Sequence, residues 1–235
     1  MGEDDKGVGE GGVDKGIIVR GLEDLRGGIR LYLISIILLI VGSIFILVLL
    51  VGPSIASIWI SGGPARITRS TVVALIILMA ILVLAVSTIA IFAVMKVRDG
   101  MRELVKAYKD ADVGLLGARL ILYGTILIVA GILTLLIVVG AILAIVGVLV
   151  LIVGNILFGV GIVNLDKYTR EDLKTPGILY IVGVAVSLLG SVVPGLSLLG
   201  QALELAGLIL LYVRLGGWIE DLKVTIQTAT VRRPY

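Results

Sequence analysis

The stretch that decides the fold is residues 120–163, LILYGTILIVAGILTLLIVVGAILAIVGVLVLIVGNILFGVGIV, which has 44 residues and no charged side chain. As one helix it would run ~66 Å at 1.5 Å per residue, whereas the hydrocarbon core of a bilayer is ~30 Å thick. The segment therefore has to break, and Gly140 lies near its middle. This predicts two membrane spans, 120–138 and 141–163, joined by a tight turn.

Four further apolar segments predict spans at 31–51, 71–95, 177–193 and 196–213. The composition agrees, because 59% of the residues are hydrophobic and the mean hydropathy is +1.17. Soluble domains have about 45–50% apolar residues. We therefore expect an all-α fold, a polytopic bundle of six transmembrane helices forming one domain over residues 17–217.

The segments outside the spans are more polar. Residues 1–16 contain six glycines and are expected to be disordered, because they offer little apolar surface to bury. Residues 17–29 and 96–112 have apolar side chains at helical spacing, which predicts amphipathic helices at the membrane surface, the second of them cytoplasmic. Residues 52–70 contain two prolines and predict a loop. Residues 218–235 form a short cytoplasmic tail.

The basic residues lie almost entirely on one side of the predicted spans. Of the 20 Lys and Arg residues, 18 fall on that side and only Arg66 and Arg69 on the other. Cation excess marks the cytoplasmic side, so both termini are predicted to be cytoplasmic and the protein to reside in the cell membrane. The cations alternate with acids and flank spans, which does not indicate nucleic-acid binding. The expected partners are the lipid bilayer, a second copy of the chain or another membrane protein.

Glycines recur at seven-residue intervals along the predicted spans, which places them on one face of each helix. Such stripes allow the backbones of two helices to approach closely inside a bilayer, so we interpret them as helix-packing stripes. They comprise Gly124, Gly131, Gly140, Gly147, Gly154, Gly183, Gly190, Gly200 and Gly207.

The glycine spacing also predicts an internal repeat. Gly124 corresponds to Gly183 with an offset of 59 residues, and Gly147 to Gly207 with an offset of 60. Both segments start on the same side of the membrane, so the interpretation is a parallel repeat of two glycine-rich hairpins. Coincidence in a chain with 31 glycines is the alternative.

Two short motifs carry a family resemblance. An amphipathic segment of the form Gly-Leu/Met-x-x-Leu occurs at Gly21-Leu22 and again at Gly100-Met101, ahead of glycine-rich hairpins and a short polar loop. In this respect most of the chain after residue 17 resembles the archaeal multi-pass membrane proteins grouped as domain of unknown function 973. The resemblance implies a thermophilic archaeal membrane protein. It implies no activity, because that family has none established.

Glu204 is the ionisable residue that lies well inside a predicted span. A charge inside the membrane is costly, so a residue of this kind usually has a function. One interpretation is a proton or cation site formed with Gln201. The other is a protonated carboxyl group that is hydrogen-bonded to Gln201 or to a neighbouring serine. Asn155 lies in the fourth span, where an amide more often joins two helices than binds a ligand.

The sequence contains no Cys and no His, which excludes thiolate chemistry, Ser–His pairs and the commonest metal ligand. It also lacks the phosphate-binding glycine-rich loop motif. We therefore predict no enzyme activity, no cofactor and no metal. Two function classes remain. The first is a non-enzymatic scaffold or envelope component that packs through glycine-striped helices, and the alternative is a small transporter or channel using Glu204 and Gln201.

Overall fold

Six α-helices and two short 3₁₀ turns make up the computed structural model, which describes residues 15–61, 69–134, 138–190, 193 and 196–231. The α-helices are α1 (Lys15–Ser61), α2 (Arg69–Ala107), α3 (Asp112–Leu133), α4 (Val138–Leu165), α5 (Lys174–Leu189) and α6 (Leu196–Val231). The 3₁₀ turns are Lys109–Ala111, before α3, and Asp166–Tyr168, after α4. The all-α prediction is confirmed for these residues.

The helices pair as three hairpins, α1 with α2, α3 with α4 and α5 with α6. The hairpins also contact one another in chain order, because α2 packs against α3 and α4 against α5. Finally α6 returns to contact α1. The six helices therefore close into a ring in which each helix packs between two others, and α1 and α6 meet at the closure.

The most fully buried large side chains lie at the end of the ring where α1 begins and where α2 and α6 end. We call it the basic end, because Arg30, Lys96, Arg119 and Arg214 lie there. The largest fully buried side chains concentrate at this end: Leu22, Leu25, Ile29, Met101, Leu104, Ile162, Leu165, Leu173 and Leu215. Leucine, isoleucine and methionine thus form an ordinary apolar core outside the middle of the spans.

Large apolar side chains along the middle of the helices are exposed instead. Phe45 is 59% exposed, Ile145 62% and Ile209 47%. Soluble monomers rarely expose contiguous apolar surface of this extent, whereas lipid acyl chains cover it without cost. The surface of the ring therefore fits a bilayer.

Within the described residues five helices are long and apolar enough to cross a membrane, and α5 is a shorter apolar helix of 16 residues. At 1.5 Å per residue α5 runs about 24 Å, less than the ~30 Å of a typical hydrocarbon core. The multi-pass prediction is supported by the five long helices. The count of six spans stays a prediction.

The structure differs from the predicted end of the first span. The predicted loop 52–70 is wrong at its start, because α1 continues through Pro53 to Ser61. A transmembrane helix tolerates proline where neighbouring groups satisfy the freed carbonyl. Residues 62–68, and the predicted disordered residues 1–14, lie outside the described part of the chain.

The predicted surface helices are also not separate elements. Residues 17–29 are the first turns of α1, and residues 96–107 are the last turns of α2. Their apolar faces meet each other, and Met101 and Leu104 are fully buried in the shared core. The amphipathic pattern is real, but a second helix covers the apolar stripe where we expected the membrane surface.

Helix α6 likewise continues past the predicted span end at 213, to Val231. Trp218 is 3% exposed and Ile219 5%, so the packed core extends beyond the predicted domain limit at 217. Charged residues alternate with apolar ones in this segment, and the charges led us to predict a tail. The apolar residues instead form one helix face that packs on the core of the basic end.

Two carboxylates cap the start of α5. Asp166 Oδ1 accepts hydrogen bonds from the backbone N–H groups of Leu173 at 2.8 Å and Lys174 at 3.0 Å. Asp172 Oδ1 accepts one from the N–H of Thr175 at 3.0 Å. Hydrogen bonds from Thr175 lower the pKa of Asp172. The first N–H groups of a helix lack partners within it, and these carboxylates supply them.

We expect Asp166→Ala to destabilise the protein by about 1–2 kcal/mol, because two N–H donors at the start of α5 lose their acceptor. Asp221→Ala is the matched control, since it removes one carboxylate from an exposed position on α6. Thermal unfolding of both variants in the same detergent measures the difference. Equal melting temperatures would contradict the capping role.

Candidate functional site

A small cavity lies at the centre of the ring. Every helix contributes to its lining, which includes Tyr32, Val97, Ile121, Asn155, Tyr180 and Leu208. The centre of a water molecule can occupy about 30 Å³ there, enough for about two waters. The cavity is therefore too small for an organic cofactor. In the described ranges no group of three or more acidic side chains is placed to hold a metal ion.

Asn155 and Tyr180 form the polar contact of this cavity. The Tyr180 hydroxyl donates a hydrogen bond to Asn155 Oδ1 at 2.8 Å, and both residues are buried. The Tyr180 ring also meets Phe158 edge to face, with centroids 5.9 Å apart. The amide of α4 thus holds α5, the geometry of an interhelical hydrogen bond.

Glu204 lies in the contact between α5 and α6. The Ser187 hydroxyl donates a hydrogen bond to Glu204 Oε1 at 2.6 Å. A Cβ atom placed on Gly183 would lie 2.7 Å from Glu204 Cγ, so the absence of a side chain on α5 makes room for the glutamate. The carboxyl group therefore faces the neighbouring helix.

The structure does not bring Gln201 to Glu204. Gln201 is exposed on α6. It follows Gly200 directly and so lies about 100° around the helix from the contact face. Of the two partners that the sequence left open for the carboxyl group, Gln201 or a neighbouring serine, the structure shows the serine, Ser187. The spacing could have revealed it, because Ser187 lies between Gly183 and Gly190 at helical intervals on the same face of α5.

A second polar cluster, which the sequence analysis did not identify, lies at the basic end. Asp110 accepts a hydrogen bond from the Tyr168 hydroxyl at 2.5 Å and pairs with Lys167. The Tyr168 ring stacks on Tyr108 with centroids 4.3 Å apart, and Tyr108 approaches Trp218 at 6.2 Å. These contacts join the turn before α3, the turn after α4 and the second half of α6, so the cluster has a structural role.

The stripe glycines lie at the contacts within hairpins. For eight of the nine, a Cβ atom would come closer than 3.0 Å to a backbone atom of the opposite helix. At Gly131 it would lie 2.6 Å from the backbone nitrogen of Ala144 and 2.7 Å from the carbonyl oxygen of Gly140, the ninth stripe glycine. Only glycine fits such a distance, because any side chain would move the helices apart.

The contacts correct the register of the proposed repeat. A Cβ on Gly124 would meet the carbonyl oxygen of Gly147 at 2.8 Å, and one on Gly183 would meet that of Gly200 at 2.9 Å. The structural counterpart of Gly147 is therefore Gly200, seven residues before Gly207. Because the glycines recur every seven residues, the sequence alone fits both alignments equally well. The repeat itself stays a prediction.

The first hairpin shows the same kind of contact. A Cβ on Gly100 would lie 2.6 Å from the carbonyl oxygen of Gly21, and one on Gly21 would lie 3.1 Å from that of Gly100. The two motifs that suggested the family resemblance therefore touch each other, and the residues after them, Leu22 and Met101, are fully buried.

A closed ring of apolar helices with large exposed apolar side chains defines a multi-pass membrane protein. The chain belongs to the family described as protein of unknown function (DUF973), whose family model matches residues 19–235. The family resemblance seen in the sequence is thereby confirmed. No curated protein and no solved structure matches the chain.

Gly124→Ala should destabilise the α3–α4 hairpin by about 1–3 kcal/mol, because the added methyl group would lie 2.7 Å from the backbone nitrogen of Leu151. Gly27→Ala is the matched control, since its nearest neighbour is the flexible end of Lys96 at 3.6 Å. The control should be neutral or up to about 1 kcal/mol stabilising, because alanine favours a helix over glycine. Thermal unfolding of both variants tests this, and equal melting temperatures would refute the contact.

Proposed function

We propose that this protein is a non-enzymatic scaffold or envelope component of the cell membrane, with six spans and both termini in the cytoplasm. The observation that carries the proposal is the position of the Glu204 side chain. Its carboxyl group is held by Ser187 inside the α5–α6 contact, and it is not among the residues that line the central cavity. This arrangement suits a structural hydrogen bond better than a site that exchanges ions.

The shape of the helices supports the same proposal. Transporters commonly bind their substrate where a helix is interrupted in mid-membrane. Here α2, α3, α4 and α6 are each continuous over the ranges given above. The central cavity holds about two waters, which is less than a solute pathway requires.

The proposed orientation follows from the basic end of the ring. Basic side chains of the described helices concentrate there, on the first turns of α1, the last turns of α2 and the second half of α6. The cation-rich side of a membrane protein faces the cytoplasm. Helix α5 packs between α4 and α6, so we count it as the sixth span, with its short length met by local thinning of the bilayer.

The exposed apolar side chains on the ring suggest the partners of such a scaffold. The lipid bilayer covers them first, and a second copy of the chain or another membrane protein can dock on the same faces. Association of this kind needs no reaction at the protein, which fits the absence of His and Cys from the sequence.

The scaffold proposal predicts that Glu204→Gln melts within about 1 kcal/mol of the wild type, because the amide oxygen still accepts from Ser187. Glu204→Leu should cost about 1–3 kcal/mol, since it leaves the hydroxyl without this acceptor. Gln201→Leu, at the exposed neighbouring position, is the control and should be nearly silent.

The same variants distinguish the transport alternative. Wild-type protein in sealed vesicles should give no proton or cation flux above that of empty vesicles. If the wild type carries flux and Glu204→Gln abolishes it while Gln201→Leu does not, the scaffold proposal is wrong and Glu204 is a transport site.

Single cysteines test the orientation, because the chain has no native thiol. Arg170→Cys in the loop before α5 and Gln227→Cys near the end of α6, both exposed, should react with a membrane-impermeant maleimide only after the cells are permeabilised. Val193→Cys, 50% exposed between α5 and α6, should react on intact cells. Labelling of Arg170→Cys from outside would refute the proposed topology.

A further inference from the structure

A groove of about 230 Å³ lies between the first turns of α1 and the second half of α6, on the outside of the ring. Its lining includes Glu23, Arg26, Arg30, Tyr212 and Lys223. The groove is separate from the central cavity, and the scaffold proposal gives it no role.

The guanidinium group of Arg26 is fixed in this groove without an acidic partner among the described residues. It lies over the ring of Tyr212, 4.5 Å from the centroid. Gly216 leaves room for the guanidinium group, since a Cβ atom at this position would lie 2.8 Å from Arg26 Nη2. Arg26 Nε is buried and has no hydrogen-bond partner in the described structure. Buried charged donors normally have partners, and in the described part of the chain this guanidinium group has no hydrogen-bonded acid to satisfy it.

The charges around Arg26 also favour an anion. The acidic residue of the groove, Glu23, is engaged by Lys223 at 2.7 Å. Arg30 adds a second guanidinium group. Lys96 lies just beyond Gly27, because a Cβ atom on that glycine would be 3.6 Å from Lys96 Nζ. The lining thus has more positive than negative charge, and guanidinium groups bind phosphate oxygens in paired hydrogen bonds.

The position of the groove suggests the source of the phosphate. Arg30 directly precedes the predicted span 31–51, and Tyr212 lies at the end of the predicted span 196–213. The groove therefore lies at the depth of the lipid headgroups, where tyrosine side chains are typical. In the proposed topology this end faces the cytoplasm, and basic pockets between helices on the cytoplasmic side of a membrane attract anionic headgroups.

The geometry points to a phosphate-binding site in this groove, occupied by the headgroup of an anionic phospholipid. Arg26 and Arg30 bind the phosphate oxygens, and Tyr212 holds the Arg26 side chain in place. A soluble phosphate would use the same contacts, so the test includes both sources.

The experiment uses the full chain in nanodiscs of phosphatidylcholine alone and of an equal mixture with phosphatidylglycerol. Phosphatidylglycerol should raise the melting temperature, since a ligand that binds the folded state stabilises it. Arg30→Gln should weaken the retention of phosphatidylglycerol in native mass spectrometry by roughly tenfold or more, because a charged hydrogen bond is lost. Arg102→Gln, an exposed arginine of α2 outside the groove, removes the same charge and should keep both effects.

Inorganic phosphate added to protein in neutral detergent, with chloride of equal ionic strength as control, forms the second arm. A shift with phosphatidylglycerol alone identifies the lipid, and a shift with both identifies a general phosphate site. Arg26→Gln also removes the packing on Tyr212, so the decision rests on Arg30, which is exposed. Equal lipid retention by Arg30→Gln and Arg102→Gln, or no shift with either anion, would overturn the proposal.

Discussion

Close contact between helix backbones at glycine is the constraint on which the rest of this ring depends. Gly124 meets Gly147 in the second hairpin and Gly183 meets Gly200 in the third, all within the predicted spans, while Gly21 meets Gly100 in the first hairpin at the basic end. Inside a bilayer, helices gain nothing by hiding apolar surface from each other, so van der Waals packing has to hold them together. At these distances the backbones themselves supply it.

The two levels of the molecule use different forces. Along the middle of the helices, leucine and isoleucine face outward and glycine faces inward. At the basic end the same apolar residue types turn inward, around Leu25, Met101 and Leu215. In the proposed topology water is present at that level, so burial of apolar surface again favours association. Trp218 and the stacked tyrosines Tyr108 and Tyr168 complete this layer.

The sequence allowed the apolar segments, the family and the position of Glu204 on a helix contact to be predicted, because hydropathy and heptad spacing are local properties. The predictions that failed were those that depended on what each segment packs against. The apolar stripe of Met101 and Leu104 fits a membrane surface as well as a second helix. A proline such as Pro53 usually breaks a helix in water, but transmembrane helices tolerate it. Gln201 and a neighbouring serine were both left open as partners of Glu204, and the carboxyl group accepts its hydrogen bond across the hairpin from Ser187.

The closure of the ring by α6 against α1 has a consequence for the order of assembly. The other main helix pairs join elements that are adjacent in the chain, so each can form as soon as its second helix has been synthesised and inserted. Contacts between neighbours in sequence require little loop-closure entropy and form quickly. The ion pair of Glu23 with Lys223 and the stacking of Arg26 on Tyr212 join opposite ends of the chain. They can form only after α6 has been made, so the ring cannot close before α6 has been synthesised.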